Sequence, residues 1–117
     1  MDLMRKYDIV PMGAVRMNKA DAWKKRPAVL RYFAYKDHLR ILKPVLEIGD
    51  PIRFNMPMPP SWSLKKKQEL FGKPHTQKPD IDNLIKAFWD ALYEDDSHIW
   101  KVSAEKRWDY VGSIQVG

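Results

Sequence analysis

Two aspartates separated by one residue, Asp80 and Asp82, head a segment with an apolar stripe, and a second acidic pair, Asp95-Asp96, follows its end. Carboxylate oxygens are hard ligands, and several of them converging on Mg²⁺ is what metal-assisted phosphodiester cleavage uses, with Mn²⁺ able to substitute. In extended backbone, residues two apart point to one side. Asp80 and Asp82 can therefore face one ion as the chain enters a helix, whose free N–H groups also favour an anionic phosphate. A third carboxylate has to come from elsewhere in the chain, and the Asp95-Asp96 turn can supply it only if the chain after Ser97 returns along the helix. Lys86 lies four residues beyond Asp82 on the same helical face. It is placed either to neutralise charge developing on a phosphate or to pair with Asp82 or Asp90. The plain structural reading of these residues is an N-cap at Asp82, a turn, and a solvated helix surface at Asp90.

The elements that must position these groups follow from apolar spacing. Leu84, Ile85, Phe88, Trp89 and Leu92 form a 3.6-residue stripe, which predicts a helix from Asn83 to Leu92. Leu30, Phe33, Leu39 and Leu42 predict a second main helix over Val29–Lys43, ended by Pro44 and Gly49. Strands are predicted at Tyr7–Val10, at Ile52–Met58, from Ile99 to Trp108 and over Val111–Val116. Pro57, Pro59 and Pro60 assign the far end of the second of these to a sheet edge. Met12–Pro27 reads as a loop, and Ser61–Lys78 as a long connection with a short helix at Leu64–Leu70. The sum is an α+β fold, a small sheet of about four strands packed with two main helices, in one domain spanning residues 1–117.

Composition restricts the function classes. With no cysteine, thiolate metal sites, disulfides and cysteine nucleophiles are excluded. The start of the chain lacks the apolar run of a signal peptide, and no segment is long enough to span a membrane, so a cytoplasmic location is expected. Residues 1–79 hold 17 Lys and Arg against 7 Asp and Glu, whereas residues 80–117 hold 4 against 8. A basic body around a small acidic cluster suits a polyanion-binding surface beside a cation site. Of the five tryptophans, Trp23 and Trp62 lie in or beside basic segments, where each either packs under its loop or stacks on an unpaired base. Trp89, Trp100 and Trp108 are expected in the core or an interface, and His38, His75 and His98 on the surface.

The run from Lys78 to Leu92, with Glu94-Asp95-Asp96-Ser97, resembles the RusA family of Holliday-junction resolvases, often phage- or prophage-encoded. In that family a D-x-D-N-x-x-K run opens a helix, D-A-L closes it, and a D-D pair follows. Here these are Asp80, Asp82, Asn83 and Lys86, then Asp90-Ala91-Leu92, then Asp95-Asp96. The resemblance implies that Asp80, Asp82 and Asp96 bind the metal, with Asp95 as the alternative third ligand, and that Lys86 is an essential catalytic cation. It implies a homodimer that nicks opposing strands of a four-way DNA junction, leaving 5′-phosphates, in recombination and repair. Arg16, Lys19, Lys24, Lys25, Arg26, Lys65, Lys66, Lys67, Lys73 and Lys78 are then the candidates for DNA phosphate contacts. The competing expectations are a DNA-binding module without nuclease activity, or a nuclease for flaps and forks.

Overall fold

The computed structural model describes residues 4–22 and 26–117. Trp23, Lys24 and Lys25 fall outside them. Four strands form one mixed sheet in the order β1-β4-β2-β3: β1 (Arg5–Tyr7), β2 (Pro51–Pro57), β3 (Ser103–Asp109) and β4 (Ser113–Val116). β2 and β3 run parallel in register from Pro51↔Ser103 to Pro57↔Asp109, while β4 is antiparallel to both β1 and β2. Parallel neighbours need a long crossover. Here it carries α2 (Leu64–Leu70) and α3 (Ile81–Leu92), and α1 (Pro27–Leu42) packs beside α3. The expected α+β architecture is present.

The core lies between the sheet and the α1–α3 pair. Ile52, Phe54, Ile114 and Val116 meet Leu39, Leu84 and Phe88, all fully buried. The Phe54 and Phe88 rings make an edge-to-face contact at 6.3 Å. On the other side of the sheet Asn55 is also buried, and its amide donates to Ser113 Oγ and Gln115 Oε1, both at 2.9 Å.

Several expectations need correction. The first strand lies at Arg5–Tyr7, because the Ile9 N–H turns back to the Tyr7 carbonyl at 2.9 Å and leaves the ladder. β2 lies between β4 and β3 in the sheet order, but β4 pairs only with Ile52–Asn55. At Pro57 the strand therefore has a neighbour on the β3 side alone, and its far end is an edge as expected. α1 buries Val29, Tyr32, Tyr35 and Leu39, while Leu30 is 52% exposed. Leu39 and Leu42 lie on the core as expected, but two tyrosines take the place that a stripe counted on aliphatic residues and Phe gives to Leu30. Trp100 is 78% exposed and precedes β3, so it is outside the core.

After α2 the chain forms a strap along the outer edge of β3. Gly72 N–H donates to Trp108 O, Trp108 N–H to Lys73 O and His75 N–H to Lys106 O, at 2.9–3.0 Å. These bonds cover an otherwise open edge. Gly72 makes the turn into the strap at φ +75°, a conformation that disfavours any side chain. His75, expected on the surface, is only 5% exposed and lies 4.2 Å from the Trp108 ring. Burial lowers its pKa, with the Lys106 charge adding to the effect. The folded imidazole therefore resists protonation that the unfolded chain accepts below pH about 6.5. Stability from this site is full above that pH and is lost as the pH falls below it. His75→Phe is expected to flatten the fall in Tm between about pH 7 and pH 5. Parallel melting curves for the two proteins check this, and equal acid-side slopes would refute it.

Candidate active site

α3 opens where the strap ends. Asp80, not Asp82, is its N-cap (φ −66°, ψ 151°), and its carbonyl accepts the Leu84 N–H at 3.1 Å. Asp82 sits in the first turn and accepts the Asn83 N–H on Oδ1 at 3.0 Å. Both carboxylates are exposed, and neither is in an ion pair among the described residues. Two contacts fix this corner. From β3, the Lys106 ammonium donates to the carbonyls of Gln77 and Pro79, the latter at 2.7 Å. From the N-terminal loop, the Ala14 N–H donates to Asn83 O at 3.1 Å. A Cβ on Gly13 would come within 3.0 Å of the Pro79 Cβ, so this close crossing suits glycine.

Lys86 projects from the middle of α3 and pairs with Asp90 Oδ1 at 3.1 Å. The other oxygen of Asp90 accepts the Tyr32 hydroxyl at 3.0 Å. Its carboxylate is thus held between two helices. Asp90 raises the pKa of Lys86, first through the hydrogen bond and then through charge, with a smaller contribution from Asp96. Arg40 of α1 clamps the end of α3, its Nε donating to Ala91 O at 2.7 Å. A cleft of about 490 Å³ runs along this face, lined by Val15, Arg16, Asp82, Asn83, Lys86 and Asp90. Asp80 and Lys78 line an adjoining groove with Asn83.

The acidic turn after α3 separates its two members. Asp95 Oδ1 accepts the Ser97 N–H at 2.9 Å, which holds its carboxyl below the usual range. Asp96 is half-buried, and its carboxylate takes no part in the turn, where only its carbonyl accepts the Ile99 N–H. Among the described residues no group of three or more His, Asp or Glu is close enough to enclose a metal ion. Asp80, Asp82 and Asp96 are therefore not gathered into a preformed cage. The donors at the α3 N-terminus still suit a hard divalent cation. A Mg²⁺ site commonly takes one or two carboxylates and fills its remaining positions with water and substrate phosphate.

Of the basic candidates, Arg16 and Lys86 share the cleft, and Lys78 stands in the groove beside Asp80. Arg26 donates to Arg16 O at 3.0 Å. Lys65 and Lys66 are exposed on α2, Lys67 is half-buried there, and Lys73 is exposed on the strap. Lys19 is exposed in a short 3-10 turn (Lys19–Ala22). Trp62 tilts against Trp108 at 4.8 Å, and the Lys66 ammonium covers its ring at 4.1 Å, so it packs under its loop. Of the pairings the sequence offered for Lys86, the structure shows the one with Asp90; the parts played by Tyr32 and Lys106 sequence reasoning did not find. The four-residue step from Lys86 marks Asp90, but nothing local marks Tyr32 or Lys106.

A family model described as endodeoxyribonuclease RusA matches residues 13–117 of the chain. A Bacillus subtilis (strain 168) protein, "Uncharacterized protein YqaN", is 31% identical over 122 residues, covering 91% of this chain and 83% of that protein. No solved structure matches the chain significantly. No helix among the described residues is long and apolar enough to cross a membrane.

Proposed function

The chain belongs to the RusA endodeoxyribonuclease family, and from that premise we propose that it resolves four-way DNA junctions by paired, symmetric nicks that depend on Mg²⁺. The observation that carries this reading is the corner of α3. There Asp82 lines a cleft with Arg16 and the Lys86 ammonium, Asp80 lines the adjoining groove with Lys78, and Asn83 borders both. Neither carboxylate has a cationic partner among the described residues.

Nucleases of this family generally depend on a divalent metal, and Asp80, Asp82 and Asp96 are the residues proposed to hold it, with Mn²⁺ as an acceptable substitute. When bound, such an ion lowers the pKa of water and polarises a phosphoryl oxygen. The chain's own groups do the rest. Free N–H groups in the first turn of α3 attract the phosphate, and Arg16 and Lys78 hold the flanking backbone. Lys86 neutralises charge that builds on the non-bridging oxygens as the phosphate becomes five-coordinate. Asp90 acts through Lys86. It holds the ammonium on the cleft side of α3, and Tyr32 fixes the rotamer of Asp90 in turn. A two-fold dimer would present two such clefts to the opposed strands of a junction, which is why the nicks are expected in pairs.

A synthetic four-way junction incubated with the protein, with and without Mg²⁺ or Mn²⁺, tests the proposal. Symmetric nicks with 5′-phosphate ends are expected only with the ion. Binding without any cleavage under either condition would make the chain a DNA-binding module instead.

A further inference from the structure

Two aromatic rings stand in the open at the far end of the strap. Phe71, the C-cap of α2, is 52% exposed and Tyr110, just past β3, is 46% exposed. Their rings are stacked at 5.2 Å with 26° between planes. Side chains of this kind usually bury themselves, and nothing in the core requires this pair. It is held firmly from below. Phe71 N–H donates to Lys67 O and Gly72 N–H to Trp108 O, both at 2.9 Å. The Arg107 guanidinium donates to Gly72 O at 3.0 Å, and the Tyr110 N–H to Asp109 Oδ1 at 2.6 Å.

We infer that the Phe71–Tyr110 pair is a stacking platform for a base whose face is uncovered at the branch point of branched DNA. This inference rests on the junction-nuclease reading above. The basic run Lys65-Lys66-Lys67 of α2 leads into Phe71 and exposed Lys73 follows it, against Glu69 and Asp109 on the acidic side. Arg107 is already paired with Glu105, and the excess of cations on the α2 side suits a polyanion. Of the two tryptophans that sequence offered for this role, Trp23 lies outside the described residues and Trp62 is covered by Trp108 and Lys66, whereas Phe71 and Tyr110 remain accessible. Because each ring already immobilises the other, a base landing on the pair orders little that is not already ordered.

The platform and the site belong to one strap: Phe71 stands where the strap leaves α2, its bonds to β3 run from Gly72 to His75, and its other end, held by Lys106, leads into Asp80. Inside a duplex both faces of every base are covered by its neighbours, so only a base uncovered at a branch point can use the platform. The pair therefore supplies a preference for branched over linear DNA, separate from the cutting chemistry.

The test uses the full chain with chelator present, so that binding is read without cleavage. The probes are a synthetic four-way junction and a linear duplex of the same arm sequence, each with 5-iodouracil at one of the four positions next to the branch. Long-wavelength irradiation is expected to crosslink Phe71 or Tyr110 to the junction and not to the duplex. Phe71→Ala with Tyr110→Ala is expected to weaken junction binding roughly tenfold and duplex binding less than about twofold. The unchanged duplex affinity also shows that the variant has folded, and Tyr110→Phe should bind as the unsubstituted protein does. Equal losses on both probes, no loss, or no crosslink at any position would overturn the inference. So would a change in oligomeric state by light scattering in the double variant, since that makes the pair a contact between copies of the chain. If the unsubstituted protein cuts junctions and the platform variants behave like it, only this inference fails. If the protein neither binds nor cuts branched DNA, the nuclease reading fails with it.

Discussion

Asp82→Asn is expected to slow junction cleavage by roughly a thousandfold or more, because the variant loses a hard anionic ligand worth several kcal/mol at the transition state. The substitution keeps the size of the side chain. A carboxamide oxygen can still accept the Asn83 N–H that Asp82 accepts at 3.0 Å, so the first turn of α3 should survive. Loss of a negative charge near the positive end of the helix costs about 0.3–1 kcal/mol, a shift of a few degrees in Tm. Junction affinity should hold or rise slightly, since an anion beside the phosphate has been removed and the basic residues are untouched. Single-turnover cleavage and a binding titration on one junction separate the two effects. Cleavage within tenfold of the unsubstituted protein would remove Asp82 from the chemistry.

Lys86→Met is expected to lower the cleavage rate roughly 10²–10³-fold, the usual effect of deleting one preorganised electrostatic contact to the transition state. The stem retains its packing and only the ammonium is lost. The pair with Asp90 is exposed enough to contribute at most about 1 kcal/mol to stability, so Tm should barely move. Asp90→Asn, which can keep the Tyr32 hydrogen bond but not the charge, is expected to cost nearer tenfold in rate with little change in junction affinity. The double variant shows whether the two residues act as one unit. If Asp90 works only by holding Lys86, adding Asp90→Asn to Lys86→Met should cost nothing further. Fully multiplicative losses would mean that Asp90 acts elsewhere.

The helix that carries the site was legible because its apolar stripe is unambiguous: α3 spans Ile81–Leu92 and buries Leu84, Phe88 and Trp89 as the periodicity predicts. The acidic residues at its two ends, the basic body and the short helix at Leu64–Leu70 were equally open to reading, and the last was placed to the residue. α1 was found with Leu39 buried and Leu42 on the core as expected, but its buried face is completed by Tyr32 and Tyr35, whose rings a hydropathy pattern counts as polar, and not by Leu30. The acidic pair could not be divided by sequence. In the structure a local hydrogen bond engages Asp95, whereas the Asp96 carboxylate is left out of the turn and within electrostatic reach of Lys86.

Sequence by itself therefore determined the chemistry on offer: which side chains carry charge, which could bind a hard cation, and which segment must become the helix that displays them. These properties are local, set by residue type and a spacing of a few positions. Tertiary structure alone decided what those groups do to one another. The Tyr32 hydroxyl reaches Asp90 from 58 positions away, Lys106 holds the Asp80 corner from another strand, and Phe71 meets Tyr110 only because the strap runs along β3. Such contacts join residues remote in the chain, and the packing of helices on the sheet brings them together, which no local pattern encodes.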